Sequence, residues 1–212
     1  MISFFNSETK FKWNIVKDEK RVNFAHDLPN GFLDSDRSAN PNYKRVPYAF
    51  GFRKDNLDFV LISVHLNPED ETEDREFRAR EFQAIFAWID DNDDMEKDFI
   101  IVGDMNIQNS DELTNVTPTG YLSLNDECRK TNTAAGSDKP YDHVIYSTTN
   151  TTNEIDIDYD IEVVDLIEAM RDKWESDEPY LGDPYNQNLF QQYYSDHHPV
   201  VFRMIVPSSD DD

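Results

Sequence analysis

The chain has 212 residues, 38% of them apolar and 13% aromatic, which supplies a sizeable core and excludes global disorder. Its 44 acidic and 20 basic residues give a formal net charge of −24, a field that repels polyanions and excludes a protein that coats nucleic acid through bulk charge. A single cysteine, Cys128, excludes an intrachain disulfide and a cysteine metal centre.

No apolar run approaches the roughly 18–20 residues a membrane span needs. The opening from Met1 to Asn6 turns polar too soon for a signal peptide. The chain is therefore expected to be soluble and cytoplasmic. With no repeats and no low-complexity linker, residues 1–207 read as one domain, followed by an acidic tail over 208–212.

In chain order, residues 11–24 hold two short apolar pieces around the charged turn Lys17-Asp18-Glu19-Lys20, a hairpin signal. Residues 27–42 are rich in turn formers and predict a long loop. Val46 to Arg53 and Leu57 to Leu66, separated by Asp55-Asn56, predict an antiparallel pair of strands. Residues 73–90 carry the clearest helix pattern, with Phe82, Ile85, Phe86 and Ile89 at i, i+3, i+4 and i+7. Phe99 to Val102 predicts a short buried strand ending at Gly103, and further strands are expected at Val144–Tyr146, Ile161–Leu166 and Val200–Val206. Strands interleaved with one or two helices predict a layered α/β domain with sheet-on-sheet packing.

Ionisable residues recur where these strands end. Ser63-Val64-His65 closes one strand, and Gly103-Asp104-Met105-Asn106 follows the next. Tyr141-Asp142-His143 opens a third, and Ser195-Asp196-His197-His198-Pro199 precedes the last. Taken singly, each has a bland explanation: a histidine in an apolar strand is usually a satisfied core residue, and an aspartate after a strand is usually a cap or turn former. Strand ends on one edge of a sheet converge on one pocket, however, and these residue types suit phosphodiester hydrolysis. That reaction needs an activated water, a stabiliser of phosphoryl charge and a protonated leaving oxygen. Carboxylates are natural ligands for Mg²⁺ or Mn²⁺, and a His–Asp pair fixes the tautomer of a base.

The four segments together, in this order and spacing, resemble the endonuclease/exonuclease/phosphatase superfamily, the deoxyribonuclease I-like fold, over about Trp13 to Val206. Arg45-Val46-Pro47 ahead of the Tyr48 strand is similar to that family's Arg-x-Pro run into a central strand. The resemblance implies an α/β (α+β) two-sheet β-sandwich flanked by helices. It makes His197 the general base, oriented by Asp142 or a neighbouring carboxylate, or a partner of the attacking water, with His65 donating to a phosphoryl oxygen or the leaving group from the other side. Asp104 and Asn106 orient the nucleophile and bind phosphate or metal, and Asp196 helps hold the ion or His65. Arg45, Tyr141 and His143 are implied substrate contacts, and His198 is structural. Asp104, Asn106 and Asp196 are the implied metal ligands, for Mg²⁺ or else Mn²⁺ or Ca²⁺.

The family opens with a strand ending in Asn and a later strand ending in Gln-Glu, whose Glu is its principal metal ligand. Neither is present here, so the fold is expected to be N-terminally truncated, with exposed sheet edges that favour self-association. A truncated start also leaves room for a secretion signal upstream. The function expected is a metal-dependent phosphodiester hydrolase, an endonuclease acting on DNA before RNA. The alternatives are a phosphatase for phosphoinositides or other phosphate esters on the same scaffold, and a catalytically impaired binding homologue.

Overall fold

The computed structural model describes residues 22–159, 161–171 and 186–209. The predicted hairpin over 11–24 lies outside these residues except for its end, which forms β1 (Asn23–Phe24). β1 and β2 (Gly31–Phe32) both pair antiparallel with β3 (Tyr48–Lys54), so the expected loop over 27–42 carries a short edge strand. β3 turns back at Asp55-Asn56 into β4 (Leu57–His65). Asp55 takes a φ of 55° there, the left-handed conformation that a tight two-residue hairpin requires and Asp tolerates.

β4 is followed by α1 (Thr72–Asp90), and the chain then returns as β5 (Phe99–Asp104), parallel to β4. A parallel neighbour needs such a crossover. After α2 (Ser110–Val116) and the three-residue β6 (Tyr121–Ser123), β7 (Asp142–Ser147) pairs antiparallel with both β5 and β6. The sheet order is β1-β3-β4-β5-β7-β6, with β2 also on β3. β8 (Glu162–Val163), α3 (Leu166–Ala169), α4 (Gln187–Tyr193) and β9 (Val200–Val201) follow, and β8 pairs with β9 in a second, two-stranded sheet.

Both faces of the large sheet are covered. Val60, Ile62 and Val64 of β4, Ile101 of β5 and Ile145 of β7 pack against Phe82, Ile85 and Ile89 of α1. On the opposite face Phe59, Leu61, Ile100, Val102, Val144 and Tyr146 meet Ile155, Ile161 and Phe202, around the small sheet. This explains why the central strands read as continuous apolar runs rather than alternating ones. The layering is helix, large sheet, small sheet, as expected of an α/β domain with face-to-face sheets. No helix among the described residues is long and apolar enough to cross a membrane.

Several boundaries differ from the sequence reading. The strand predicted over 161–166 is β8 alone, because Asp165 Oδ1 accepts from Glu168 N at 3.0 Å and starts α3 instead. The strand predicted over 200–206 shortens to β9, and Met204 makes an isolated bridge to Ile155. β5 runs past Val102 to Asp104, through a glycine that no other residue can replace. Gly103 has a φ of 136°, and a Cβ there would fall 2.2 Å from the Val64 carbonyl oxygen.

Candidate active site

Strand register decides which side chains share a face. His65 is opposite Asp104 across the parallel β4–β5 pair, and Asp104 is opposite Asp142 across β5–β7. Paired residues point the same way, and one step of two residues further into the sheet the same parity gives Ser63, Val102 and Val144. The three polar side chains therefore emerge at one end of the face that covers the small sheet. The segment 195–198 reaches them along 131–133: Thr133 N donates to Asp196 O at 2.8 Å, His198 N donates to Thr131 O at 2.6 Å, and Asn132 forms a bridge with His197.

The result is a carboxylate between two imidazoles. Asp104 Oδ2 lies 3.5 Å from His65 Nε2 and 3.6 Å from His197 Nε2. His197 Nδ1 is 2.6 Å from Asp142 Oδ2, which fixes the ring's orientation. Asp104 Oδ1 accepts from Asn106 N at 3.0 Å. Asn106 adopts a φ of 53°, and its Nδ2 donates to Leu66 O at 3.0 Å. Arg45 Nη1 donates to the His65 and Leu66 carbonyls at 3.3 Å each, which keeps an exposed guanidinium on the His65 flank. The Tyr141 ring lies 5.8 Å from that of His197, and its backbone carbonyl accepts from Met105 N at 2.8 Å.

These surroundings separate the proton affinities of the site. Burial pushes the Asp104 carboxyl up to about 6; the charge of His197 opposes the rise, and that of Asp142 adds to it. Burial disfavours the His197 imidazolium, but the hydrogen bond and charge of Asp142, with the charges of Asp104 and Asp196, outweigh it and push the ring up to about 9. His65 moves the other way. Burial and the cations Arg45 and His197 hold it below the usual histidine value, against the pull of Asp142 and Asp196.

His65, Asp104, Asn106, Asp142 and His197 are thus brought together, with Arg45 and Tyr141 beside them. Asp196 is exposed and acts on both histidines and on Asp104 through its charge. His143 is a correction. It follows Asp142 on a strand, so it points to the opposite face, where it is 1% exposed and its Nδ1 lies 2.9 Å from Ser123 Oγ. A substrate cannot touch it there. His198 is structural as expected, since its Nδ1 accepts from Leu166 N at 2.9 Å.

Of the expected metal ligands Asp104 and Asn106 lie together, and Asp196 is exposed beside them in the chain segment of His197. Among the described residues no group of three or more His, Cys, Asp or Glu side chains is arranged to hold a metal ion. Asp104 Oδ2 faces two imidazole nitrogens rather than further oxygens, whereas Mg²⁺ and Ca²⁺ require shells of oxygen donors. The donors described do not fit a closed divalent site.

Sequence reading missed the residues that hold this arrangement from behind. Thr131 Oγ1 accepts from Asp142 N at 3.0 Å, and Asn125 Nδ2 donates to Asp142 O at 3.2 Å. Arg78 and Glu81 on α1 grip the backbone next to His65 and Arg45. Charged residues on the buried stripe of a helix were the available signal for that pair.

No protein-family model matches the chain, and no curated protein matches it. Solved structures do. D. rerio TDP2 complexed with single strand DNA product superimposes with a TM-score of 0.54 at 15% identity, over 87% of this chain and 69% of that one. A mannosyl-6-phosphatase from Bacteroides thetaiotaomicron gives 0.57 at 11% identity, over 88% and 68%. An endonuclease/exonuclease/phosphatase family protein from the same organism gives 0.55 at 10% identity, over 89% and 67%. The chain spans about two thirds of the length of each of these proteins. It has the endonuclease/exonuclease/phosphatase fold, the deoxyribonuclease I-like arrangement that the four strand-end segments resemble.

Proposed function

We propose that the chain is a phosphoester hydrolase that cleaves phosphodiesters in nucleic acid, DNA before RNA. The observation that carries this reading is Asp104 Oδ2 held between His65 and His197, with His197 tied to Asp142. Groups whose proton affinities are driven apart at one site mark the acid and base roles. At neutral pH Asp104, near 6, is mostly ionised, and His197, near 9, is mostly an imidazolium.

Asp104 is therefore the better base, and His197 the better stabiliser of negative charge on the phosphoryl oxygens. This exchanges the role that the resemblance implied for His197. The water oxygen forms the new bond to phosphorus as its proton passes to Asp104 Oδ2. The ester oxygen leaves with the electron pair of the broken P–O bond and takes a proton from solvent. Arg45 and His65 hold the remaining phosphate oxygens from the opposite flank.

Three features support nucleic acid as the substrate. D. rerio TDP2, which shares the fold, was solved with a single strand DNA product. Tyr141 stands beside His197. Phe32 and Tyr48, in edge-to-face contact at 4.9 Å, lie on the same face of the sheet as His65 by strand register, where bases can stack. A second reading, a phosphatase for small phosphate esters, is favoured by the net charge of −24, which opposes a long polyanion.

Turnover measured side by side on plasmid DNA, single-stranded RNA, a nitrophenyl diester, a nitrophenyl monoester and soluble inositol phosphates separates the two readings. Diester cleavage that His197→Ala abolishes is the expected result. Monoester turnover alone moves the assignment to phosphatase, and nicking untouched by His197→Ala removes the site from the reaction. Self-association is proposed to use the short β6 edge, where Leu122 is exposed. Sedimentation showing a monomer across concentrations overturns it.

A further inference from the structure

α1 carries two charged residues where its apolar stripe meets the sheet, and both are 0% exposed. Charges are buried this completely only when their hydrogen-bonding capacity is met. What meets it here is backbone on either side of the phosphate site. Glu81 Oε1 accepts from Lys44 N at 2.9 Å, and its Oε2 accepts from Asn67 N at 2.7 Å. One carboxylate thus bridges the residue before Arg45 and the second residue after His65. Arg78, one turn earlier on the same face, donates from Nη1 to Asn67 O at 3.1 Å and to Glu69 O at 2.6 Å. Its Nε donates to Glu112 Oε1 at 2.8 Å, and Glu112 Oε2 accepts from Gln108 N at 2.9 Å, two residues past Asn106.

Segments next to Arg45 and His65 are therefore fixed to α1, and the one next to Asn106 to Glu112 of α2, which Arg78 holds, by charge-assisted bonds to their backbone, which are stronger than neutral ones. The contacts are local to the site. Arg45 in turn donates to the His65 and Leu66 carbonyls, and Leu66 O also accepts from Asn106 Nδ2. The Glu81 carboxylate also feels Arg45 directly; burial raises its proton affinity, while its two backbone bonds and the cations Arg45 and Arg78 oppose that rise.

We propose that Glu81 is a positioning residue: by holding Lys44 N and Asn67 N together, it sets the Arg45 guanidinium against the substrate phosphate beside His65. The inference rests on the phosphoester-hydrolase reading and adds a residue to it that touches no substrate. Glutamine cannot replace Glu81 here, because its amide offers one acceptor oxygen where two backbone N–H groups need one each.

The test is a double-mutant cycle read by the affinity for inorganic phosphate at neutral pH, using wild type, Glu81→Gln, Arg45→Ala and the double variant, each checked for native circular dichroism. Glu81→Gln is expected to weaken phosphate binding on the order of tenfold, as is Arg45→Ala, with the double variant within about threefold of Arg45→Ala alone. If Glu81→Gln does not fold, Glu81→Asp goes through the same cycle, since it keeps the charge but is too short to span both N–H groups. Losses that multiply in the double variant overturn the proposal, because a purely structural glutamate acts regardless of Arg45. A wild type that binds no phosphate overturns it as well. Phosphate binding with the expected coupling but no ester turnover leaves the positioning role standing and removes the hydrolase reading.

Discussion

His65 and His197 approach the same carboxylate oxygen to almost the same distance, yet the two sides of the site treat an imidazole in opposite ways. The His197 side consists of 131–133, Asp142 and Asp196, so its ring is surrounded by acids and driven toward the cation, up to about 9. The His65 side consists of the end of β4 and Arg45, and there burial, the Arg45 cation and the charged His197 ring lower the imidazole. One residue type is thus driven to opposite proton affinities on the two sides. A charged ring stabilises phosphoryl oxygens, and a neutral ring beside an arginine orients them.

The largest expected effect is at the charged ring. His197→Ala should lower kcat/KM about 10³-fold or more, beyond the loss from His65→Ala, as expected for charge stabilisation at the reacting phosphorus. Equal losses at the two histidines break the contrast. Asp142→Asn should cost about 10²-fold and also change the pH profile, because the hydrogen bond and charge that raise His197 are gone. In wild type, kcat/KM should rise through about pH 6 as Asp104 ionises and fall through about pH 9 as His197 loses its proton. In Asp142→Asn the upper limb should move downward most, and the lower limb should move downward too, because the charge of Asp142 also raises Asp104. On the His65 side Arg45→Ala should raise KM about tenfold and leave kcat within a few-fold, as loss of a uniform binding contact does.

The smallest effect lies outside the chemistry, at His143. Burial pushes this ring down to about 4, below its unfolded value near 6.5, so between those values the unfolded chain binds more protons than the folded one. The stability gained by burying neutral His143 is present above pH 6.5 and is lost as the pH falls toward 4. His143→Gln should therefore lose less Tm than wild type across that window. A larger loss contradicts the buried-neutral assignment.

Much of this was legible in the sequence because it depends on period and position. α1, β3 and β4 followed from apolar spacing and the Asp55-Asn56 turn. The strand-end motifs named five residues that the fold gathers at one end of the sheet. What sequence could not show was register and depth. His143 sits beside Asp142 in the chain, yet one step along a strand reverses its face. Arg78 and Glu81 fall on the apolar stripe of α1, four residues before Phe82 and Ile85, but their charge reads as solvent-facing until the packing of α1 on the sheet buries them. β8 and β9 fell short of their predicted lengths because Asp165 starts a helix and the chain after Val201 makes one bridge in place of a ladder.

The contrast between the two rings can be observed directly by following their imidazole resonances in the intact chain by NMR as the pH is raised from 4 to 10. His197 should titrate near 9 and His65 below 6.5, and Asp142→Asn should bring His197 down toward His65. If both rings titrate together near 6.5, or in the reverse order, the division of labour between the two sides is contradicted.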